Sequence, residues 1–290
     1  MIVTELIGGM GNQMFQYAVA RHLAEKHETT VLMDTSYLLD RRPRENFVFR
    51  DYDLGIFNVQ EKFAPAAISN TYGQNRSIVI KALQKIIKPK NLEYTVEKGF
   101  AFDPAILQGR GNMYLSGYWQ SEKYFKGIES IIRNEFSLKI EPCEKVILLK
   151  KQLMNDNAVC LHVRRTDFVN NPAHGTMGMD YYQQAENLLL EKNNNLVIYV
   201  FSDDINWCKN NLALKSKTVF VEDDCAGLKA SGHFTLMCQC KYFIIPNSSF
   251  SWWAAWLNNN PEKIVIAPKV WFLSGTLDTK DLLPENWIKI

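Results

Sequence analysis

The second half of the chain alternates short apolar strands with helical segments, and this pattern constrains the fold more than any other feature. Such alternation predicts the α/β class, in which helices cover a parallel sheet. One of the helices is predicted over Tyr181–Lys192, with Asp180 and Gln183 as a capping box. Ligands of such open sheets bind at the carboxyl ends of the strands. The predicted strands are Ala158–Val163, Leu196–Phe201, Thr218–Val221, Tyr242–Ile245 and Ile264–Ala267.

The first half of the chain begins with a similar unit. A strand over Ile2–Ile7 ends at the glycine turn Gly8–Gln13, and a helix and a second strand, Thr30–Met33, follow. This order is that of half a nucleotide-binding α/β fold. A polar stretch then separates the two halves of the chain. We therefore predict two domains, residues 1–152 and 153–290.

The glycine turn has two interpretations. Gly9 and Gly11 fit the first two glycines of a dinucleotide-binding G-x-G-x-x-G motif, and Asp34 fits its acidic residue. Met14 stands where the third glycine belongs, so the motif is incomplete. A nicotinamide-dependent oxidoreductase that uses this turn is nevertheless the alternative function. The turn also carries two side-chain amides that suit sugar hydroxyls or phosphate, Asn12 and Gln13.

The composition narrows the possible functions. The 290 residues are 47% hydrophobic with a net charge of +2, which is typical of a packed globular protein and gives no basic footprint for a nucleic-acid partner. The six cysteines are scattered without zinc spacing, which predicts reduced thiols in a reducing compartment. The sequence shows no signal-peptide pattern and no apolar run of about 18 residues. We therefore expect a cytoplasmic protein.

Two weaker patterns give further alternatives. Asp51 and Asp53 form the D-x-D pair used by some metal-dependent sugar transferases, but short carboxylate pairs mostly mark turns. We predict that no divalent metal is required. Ile78–Ile87 is predicted as a basic amphipathic helix. Its apolar face is expected to dock on the domain, and peripheral association with a membrane surface is the alternative.

Two adjacent arginines follow the predicted strand Ala158–Val163. Because residues alternate between the faces of a strand, His162 and Arg164 point to one side and Arg165 to the other. A planar guanidinium binds diphosphate through paired, charge-assisted hydrogen bonds. One arginine can then bind a ligand while a carboxylate holds its neighbour, and Asp167 is the nearest carboxylate in the sequence. A purely structural ion pair is the alternative.

Two further polar clusters also follow strands. Asp203 and Asp204 could accept hydrogen bonds from guanine or ribose, and a metal is the weaker interpretation because no further ligand stands at suitable spacing. Asn247, Ser248 and Ser249 precede a helix, and the unpaired N–H groups and positive dipole at a helix start suit a phosphate. Together these clusters predict a nucleoside-diphosphate pocket without a metal.

Five sequence blocks resemble the bacterial α-1,2-fucosyltransferases of glycosyltransferase family 11. The resemblance implies a GT-B architecture, in which two Rossmann-like domains face a central cleft. The N-terminal domain would bind the acceptor and the C-terminal domain would bind GDP-β-L-fucose, in the setting of O-antigen biosynthesis. The blocks lie in the family's order and span nearly the whole chain: Gly8–Ala18, Gln120–Phe125, His162–Arg165, Phe201–Asp204 and Asn247–Trp253.

The resemblance also implies roles for individual residues. Arg164 would act on the β-phosphate with Arg165 in support, and His162 would lie near the nucleoside. Either Asp203 or Asp204 would contact guanine, and the spacing does not choose between them. Asn12 would act in catalysis, near the transferred sugar. The other predicted donor-binding residues are Gly9, Gly11, Gln13, Asn247, Ser248, Ser249 and Phe250.

The implied reaction is an inverting transfer of L-fucose from GDP-β-L-fucose to the 2-hydroxyl of a terminal β-galactoside, on an oligosaccharide or a lipid-linked glycan. The related α-1,6-fucosyltransferases carry a glutamate base after the arginine block, but Phe168–His174 contains no glutamate. His174 is the candidate substitute, although a dissociative transition state needs little help from a base. A non-catalytic glycan-binding module is a third interpretation.

Overall fold

The computed structural model describes residues 1–44, 48–75, 77, 92–169, 171, 174–273, 275 and 277–290. The chain forms two units. The first contains Met1–Ser137 and Asp278–Pro284, and the second contains Leu138–Leu277 and Glu285–Ile290. The division falls after residue 137 instead of the predicted 152, because the intervening helix packs on elements of the second unit. The predicted helix Ile78–Ile87 lies outside the described residues.

The first unit is built on a parallel sheet of four strands. These strands are β1 (Ile2–Glu5), β2 (Val31–Asp34), β3 (Glu93–Val96) and β4 (Met113–Ser116). Their order across the sheet is β2-β1-β4-β3, so the first strand is central and fully buried. Its described helices are α1 (Met10–Lys26), α2 (Ser36–Leu39), α3 (Ala66–Tyr72) and α4 (Glu129–Glu135).

The second unit is built on a parallel sheet of six strands. These are β5 (Ala158–Val163), β6 (Val197–Ser202), β7 (Lys217–Phe220), β8 (Tyr242–Ile244), β9 (Ile264–Ala267) and β10 (Ile288–Lys289), in the order β10-β9-β8-β5-β6-β7. The described helices are α5 (Glu144–Asn155), α6 (Met179–Leu190), α7 (Ile205–Asn211), α8 (Ser231–Met237) and α9 (Ser249–Leu257).

The central strand β5 shows why the apolar runs of the sequence form this sheet. All of its residues are buried, as expected for a parallel strand covered on both faces. On one face Val159 and Leu161 pack with Tyr182 of α6 in the main core of the unit. On the other face the thiols of Cys160 and Cys240 lie close enough to interact. The predicted α/β class is confirmed by these two parallel sheets with their helices.

Candidate functional site

The candidate site of the second unit lies where three neighbouring strands end. β8, β5 and β6 are adjacent and parallel, so their carboxyl ends share one edge of the sheet. The segments that follow them begin at Ile245, Arg164 and Asp203. The three polar clusters expected from the sequence therefore lie at the same edge of the sheet. The strand order that brings them there could not be predicted from the sequence.

Arg164 is held in place by two carboxylates. Its Nε and Nη2 both donate to Oδ1 of Asp167, at 2.8 and 2.7 Å, and its Nη1 lies 3.1 Å from Oδ2 of Asp203. Its guanidinium carbon lies 5.7 Å from the ring centroid of Phe168. The side chain keeps 23% exposure. Arg164 is thus a fixed cation at the edge of the sheet. Asp167 was expected to hold the neighbour of the ligand-binding arginine, but it holds Arg164 itself, and Arg165 pairs with Asp204 instead.

Asp203 holds the backbone that follows the arginines. Its Oδ1 accepts from the backbone N–H of Arg165 at 2.8 Å, and its Oδ2 accepts from the backbone N–H of Thr166 at 3.2 Å and from the Thr166 hydroxyl. Together with Arg164, these donors occupy both carboxylate oxygens. Asp203 therefore supports the loop that carries Arg164 and Arg165. The sequence had predicted only a possible guanine contact for this residue.

Asp204 joins the second arginine to the next helix. Its Oδ1 accepts from the backbone N–H of Trp207 and caps α7, and its Oδ2 accepts from Nε of Arg165 at 3.2 Å. The guanidinium of Arg165 lies 3.7 Å from the ring centroid of Trp207, within cation–π range. At 37% exposure the Asp204 side chain is the more accessible of the two acids.

The charges of this network nearly cancel within the protein. Two arginines face three aspartates, which makes the group net negative. The ion-pair interpretation is therefore realised in the structure, and burial of the arginines alone does not demand a bound phosphate. An additional source of positive potential at this edge is the N-terminus of α9.

His162 is buried beneath this edge. Burial is the largest cause that lowers the pKa of His162 to about 3, and the charge of Arg164 acts in the same direction. The imidazole is therefore neutral at neutral pH. Its ring centroid lies 5.9 Å from that of Phe250, so it links the arginine block to α9 by packing. Its Nδ1 has no hydrogen-bond partner in the described part of the chain.

The start of α9 follows β8 as predicted. Ser248 is its N-cap residue, and the backbone oxygen of Ser248 accepts from Trp252 N at 3.0 Å and from the Ser251 hydroxyl at 3.2 Å. The Ser248 side chain makes no capping hydrogen bond. Ser249 and Phe250 are half-buried in the first turn. The tryptophans of this helix are buried packing residues: Trp252, Trp253 and Trp256.

Asn247 and His174 form a support for this turn. The Asn247 side chain is 2% exposed and donates to the backbone oxygens of His174 at 2.9 Å and Trp271 at 3.0 Å. The expectation of a phosphate contact from this amide is therefore corrected, because both N–H donors are spent inside the protein. The His174 ring stacks on Phe168 at 4.7 Å, and burial lowers its pKa. A lowered pKa and a buried Nδ1 make it a weak base.

The glycine turn of the first unit ends β1 and begins α1. Gly8 has a φ of 76°, and a Cβ there would lie 2.4 Å from the Asn12 amide nitrogen, so only glycine fits. Gly9 is the N-cap of α1, and Gly11 is buried in its first turn. Asn12 Oδ1 accepts from Gln120 Nε2 at 2.8 Å.

Gln13 is an internal brace. Its side chain is completely buried, donates to the backbone oxygens of Gly8 at 2.9 Å and Asp51 at 2.7 Å, and accepts from the backbone N–H of Asp53 at 2.9 Å. The predicted ligand role of Gln13 is therefore corrected. The Asp51 carboxylate pairs with Arg41. No three metal-ligating side chains cluster within the described ranges, so the D-x-D pair has no third carboxylate, histidine or cysteine beside it there.

Asp34, the acid required by the oxidoreductase alternative, is fully buried. Its Oδ1 accepts from the backbone N–H of Ser36 at 2.9 Å and the Ser69 hydroxyl at 2.8 Å, and its Oδ2 accepts from the Tyr114 hydroxyl at 2.6 Å. A ribose could not reach this carboxylate without displacing these donors. The geometry therefore argues against dinucleotide binding at this turn.

Three residues that shape these edges were not predicted from the sequence. Thr166 and Trp207 complete the arginine network, and Gln120 orients Asn12. Gln120 could have been identified, because it lies in the block Gln120–Phe125 that resembles the family. Nothing in the sequence pointed to the other two residues. Next to Gln120, Trp119 has a φ of 57° and is held by Glu97, whose Oε1 accepts from its backbone N–H at 2.9 Å. Such backbone strain in a non-glycine residue is typical of functional loops.

The chain is similar to a known protein family and to two bacterial relatives. Residues 1–290, the whole chain, match glycosyl transferase family 11. The chain belongs to this family. It is 33% identical over 301 residues to an alpha-1,2-colitosyltransferase of Escherichia coli, covering 100% of this chain and 98% of the relative. It is 32% identical over 305 residues to the O-antigen biosynthesis glycosyltransferase WbnK of Escherichia coli, covering 98% of this chain and 99% of that relative.

A solved structure supports the fold of this family 11 glycosyltransferase. A mutant of Arabidopsis thaliana FUT1 in complex with GDP aligns with a TM-score of 0.54 over 91% of this chain and 69% of that chain, at 10% identity. The predicted GT-B class with two α/β units is confirmed at the level of the fold. Among the helices that the structure describes, none is long and apolar enough to cross a membrane.

Proposed function

We propose that this protein transfers L-fucose from GDP-β-L-fucose to the 2-hydroxyl of a terminal β-galactoside, with inversion at the anomeric carbon. The observation that carries the proposal is the fixed guanidinium of Arg164 at the carboxyl edge of the larger sheet. Family membership supports the reaction class, and the alpha-1,2 relative supports the linkage. The relative WbnK supports a glycan of O-antigen biosynthesis as acceptor.

The donor-binding step uses the hydrogen-bonding capacity left on Arg164. A guanidinium has five N–H donors, and its contacts with Asp167 and Asp203 use one each at Nε, Nη1 and Nη2. Within the described contacts, one N–H on each Nη is left for phosphate oxygens. Because the two aspartates fix the plane of the group, little side-chain entropy is lost when a diphosphate binds.

The start of α9 supplies the second part of the diphosphate site. The first backbone N–H groups of a helix have no partner within the helix and carry the positive end of its dipole. Ser249 and Phe250 stand at this position, with Ser248 as the N-cap. A positive helix end offsets the net negative charge of the arginine network. Asp204, the more exposed acid, is the better candidate for a guanine or ribose contact.

In the chemical step, the acceptor oxygen forms a bond to C1 as the bond from C1 to the β-phosphate oxygen breaks. The electron pair of the broken bond goes to GDP, and Arg164 and the α9 N-terminus stabilise the charge that develops there. The hydroxyl proton leaves to solvent late in a dissociative reaction. His174 stays a candidate base, although its lowered pKa favours a supporting role for its ring and backbone. We propose that no divalent metal takes part.

The first test is a thermal-shift screen with GDP, GDP-fucose, GDP-mannose, UDP and NAD. We expect GDP and GDP-fucose to raise the melting temperature and NAD to leave it unchanged. Stabilisation by NAD alone would favour the oxidoreductase alternative. Turnover with GDP-fucose and a β-galactoside should then give an α-linkage to the 2-position by NMR, and should survive EDTA. Loss of activity in EDTA that Mn²⁺ restores would contradict the metal-free mechanism.

The similarity to a colitosyltransferase makes the donor sugar a point to test. Colitose is the 3-deoxy analogue of L-fucose. A site that hydrogen-bonds the 3-hydroxyl should reject the deoxy donor by a factor of roughly 10⁴, whereas a site without that contact discriminates weakly. We expect the ratio of kcat/KM values to favour GDP-fucose over GDP-colitose strongly. A ratio near or below one would assign the colitosyl donor instead.

A further inference from the structure

A pocket with a volume of about 290 Å³ opens in the first unit beside the carboxyl end of β2. This is just below the usual range for ligand pockets, about 300–1,000 Å³. The size suits one or two small rings and not an extended chain. The residues that line it include Thr35, Leu38, Arg41, Asp51, Tyr52 and Phe63.

Two aromatic rings form one side of the pocket. The rings of Tyr52 and Phe63 meet edge to face, with centroids 5.3 Å apart and an angle of 77°. The Tyr52 hydroxyl donates to Glu61 at 3.0 Å, and the backbone beside Phe63 is bonded to Met33 of β2. Phe63 is nevertheless 49% exposed. A half-exposed aromatic ring on a fixed backbone is suited to pack against the C–H face of a ligand.

The rim of the pocket is charged but neutral in sum. Arg41 and Asp51 form an ion pair there, with side chains 48% and 72% exposed. A phosphate would meet the carboxylate as well as the guanidinium. A sugar hydroxyl both donates and accepts, so it can use the carboxylate and the guanidinium together. Thr35 also lines the pocket. The chemistry of the pocket therefore favours a neutral, polyhydroxylated ligand.

The pocket is joined rigidly to the glycine turn. Gln13 bonds the backbone of Asp51 and Asp53 on one side and that of Gly8 on the other. Because this brace is completely buried, the pocket wall and the turn that carries Asn12 form one body. A ligand in the pocket is thereby positioned relative to a residue predicted to act near the transferred sugar.

We propose that this pocket is an acceptor subsite that binds a neutral sugar ring of the glycan receiving fucose. The inference rests on the proposed function, because it takes the acceptor to be a galactoside. It adds the residues that recognise the acceptor: Tyr52 and Phe63 as the apolar wall, and Arg41 with Asp51 as the hydroxyl-binding rim.

The test compares two altered forms of the pocket. The first is Phe63→Ala, which removes a half-exposed ring, and the second is the double change Arg41→Ala with Asp51→Ala, which preserves net charge. Steady-state kinetics would use the acceptor that the wild-type enzyme prefers among methyl β-galactoside, lactose and N-acetyllactosamine. We expect the KM for that acceptor to rise about 10-fold or more in each form. The KM for GDP-fucose and its hydrolysis without acceptor should not change.

Val96→Ala is the matched control. Val96 is a 48% exposed apolar residue of β3, at the opposite edge of the same sheet from β2. An equal rise of the acceptor KM in this control, or an unchanged acceptor KM in both pocket variants, would overturn the proposal. A selective rise supports it.

A direct binding measurement separates the pocket from the proposed reaction. Saturation-transfer NMR with methyl β-galactoside, recorded without a donor, should show contact with the wild-type protein and much weaker contact with Phe63→Ala. If the wild-type protein transfers no fucose, the proposed function fails, yet loss of this NMR signal in Phe63→Ala still supports a sugar-binding pocket. Equal signals in both proteins overturn the pocket whether or not fucose is transferred.

Discussion

The two units end their parallel sheets with acidic residues but use them differently. In the first unit Asp34 is fully buried, and its oxygens accept from Ser36, Ser69 and Tyr114. In the second unit Asp203 and Asp204 stay 19% and 37% exposed and pair with arginines. An acid after a β-strand is thus insufficient evidence of a nucleotide site. The exposure of the acid and the partners of its oxygens have to be known before it is assigned to a ligand.

The largest expected effect is on catalysis by the second unit. Arg164→Ala should lower kcat/KM for fucosyl transfer by at least roughly 100-fold, because it removes a fixed cation from the leaving group. The matched control is Arg21→Ala, which removes an arginine of the first unit that is paired with Glu135 and Glu25. The control should lose stability but keep its turnover per folded molecule. Near-normal turnover in Arg164→Ala would refute the assignment of this edge as the donor site.

The second prediction compares the same substitution, Asp to Asn, in the two units. Asp34→Asn places an amide N–H against hydroxyl donors in a buried site, which should cost about 1–3 kcal/mol of unfolding free energy. GDP should still raise its melting temperature as in the wild type. Asp203→Asn should instead weaken GDP binding, because it loosens the loop that carries Arg164 and Arg165. Denaturant titration and GDP thermal shifts on both variants check this. If GDP binding were weakened in Asp34→Asn and unchanged in Asp203→Asn, the assignment of the donor site to the second unit would be contradicted.

Most of the second sheet was predictable, because its strands are buried on both faces and read as continuous apolar runs. β3 was missed since Glu93–Val96 is a short and mostly exposed edge strand, which gives no continuous apolar run. The capping box at Asp180 was wrong. α6 begins at Met179 with Gly178 as its N-cap, and the Gln183 side chain donates to Ala213 instead.

The site was predictable as a set of clusters but not as a set of contacts. Strand order brings the arginines and Asp203 together. Asp167 was predictable as a carboxylate partner from its proximity in the sequence, but which of the two arginines it holds was not. The roles of Gln13 and Asn247 could not be predicted. Nothing in their spacing shows that distant backbone groups, such as the oxygens of Asp51 and Trp271, consume their side-chain donors.

A third prediction concerns the backbone of the glycine turn. Gly8→Ala should lower the unfolding free energy by about 1–2 kcal/mol, the cost of a left-handed conformation in a non-glycine residue. Contact with the Asn12 amide adds to this cost. If the first unit contributes Asn12 to the reaction, the variant should also lose transfer while GDP binding in the second unit is retained. Denaturant titration and donor thermal shifts measure the two effects separately. An unchanged unfolding free energy would contradict the strain argument.

The last prediction concerns the pH dependence of stability, where the two units should have opposite signs. Burial lowers the pKa of His162 to about 3, so between about pH 3 and 6.5 the unfolded chain binds a proton that the folded chain does not. Its contribution to stability is present above pH 6.5 and is lost on acidification, with a slope of at most about 1.4 kcal/mol per pH unit. His162→Gln should remove that slope in denaturant titrations across this range.

Glu97 of the first unit provides the opposite case. Burial raises the pKa of Glu97, so the folded state holds its proton more tightly than the unfolded state. Its contribution to stability is present at low pH and is lost as the pH rises through the folded-state pKa. Glu97→Gln should therefore make the rise of stability with pH steeper just above the ordinary glutamate range, whereas His162→Gln makes it shallower. If the slope of stability against pH changed with the same sign in both variants, the predicted opposite effects of His162 and Glu97 would be contradicted.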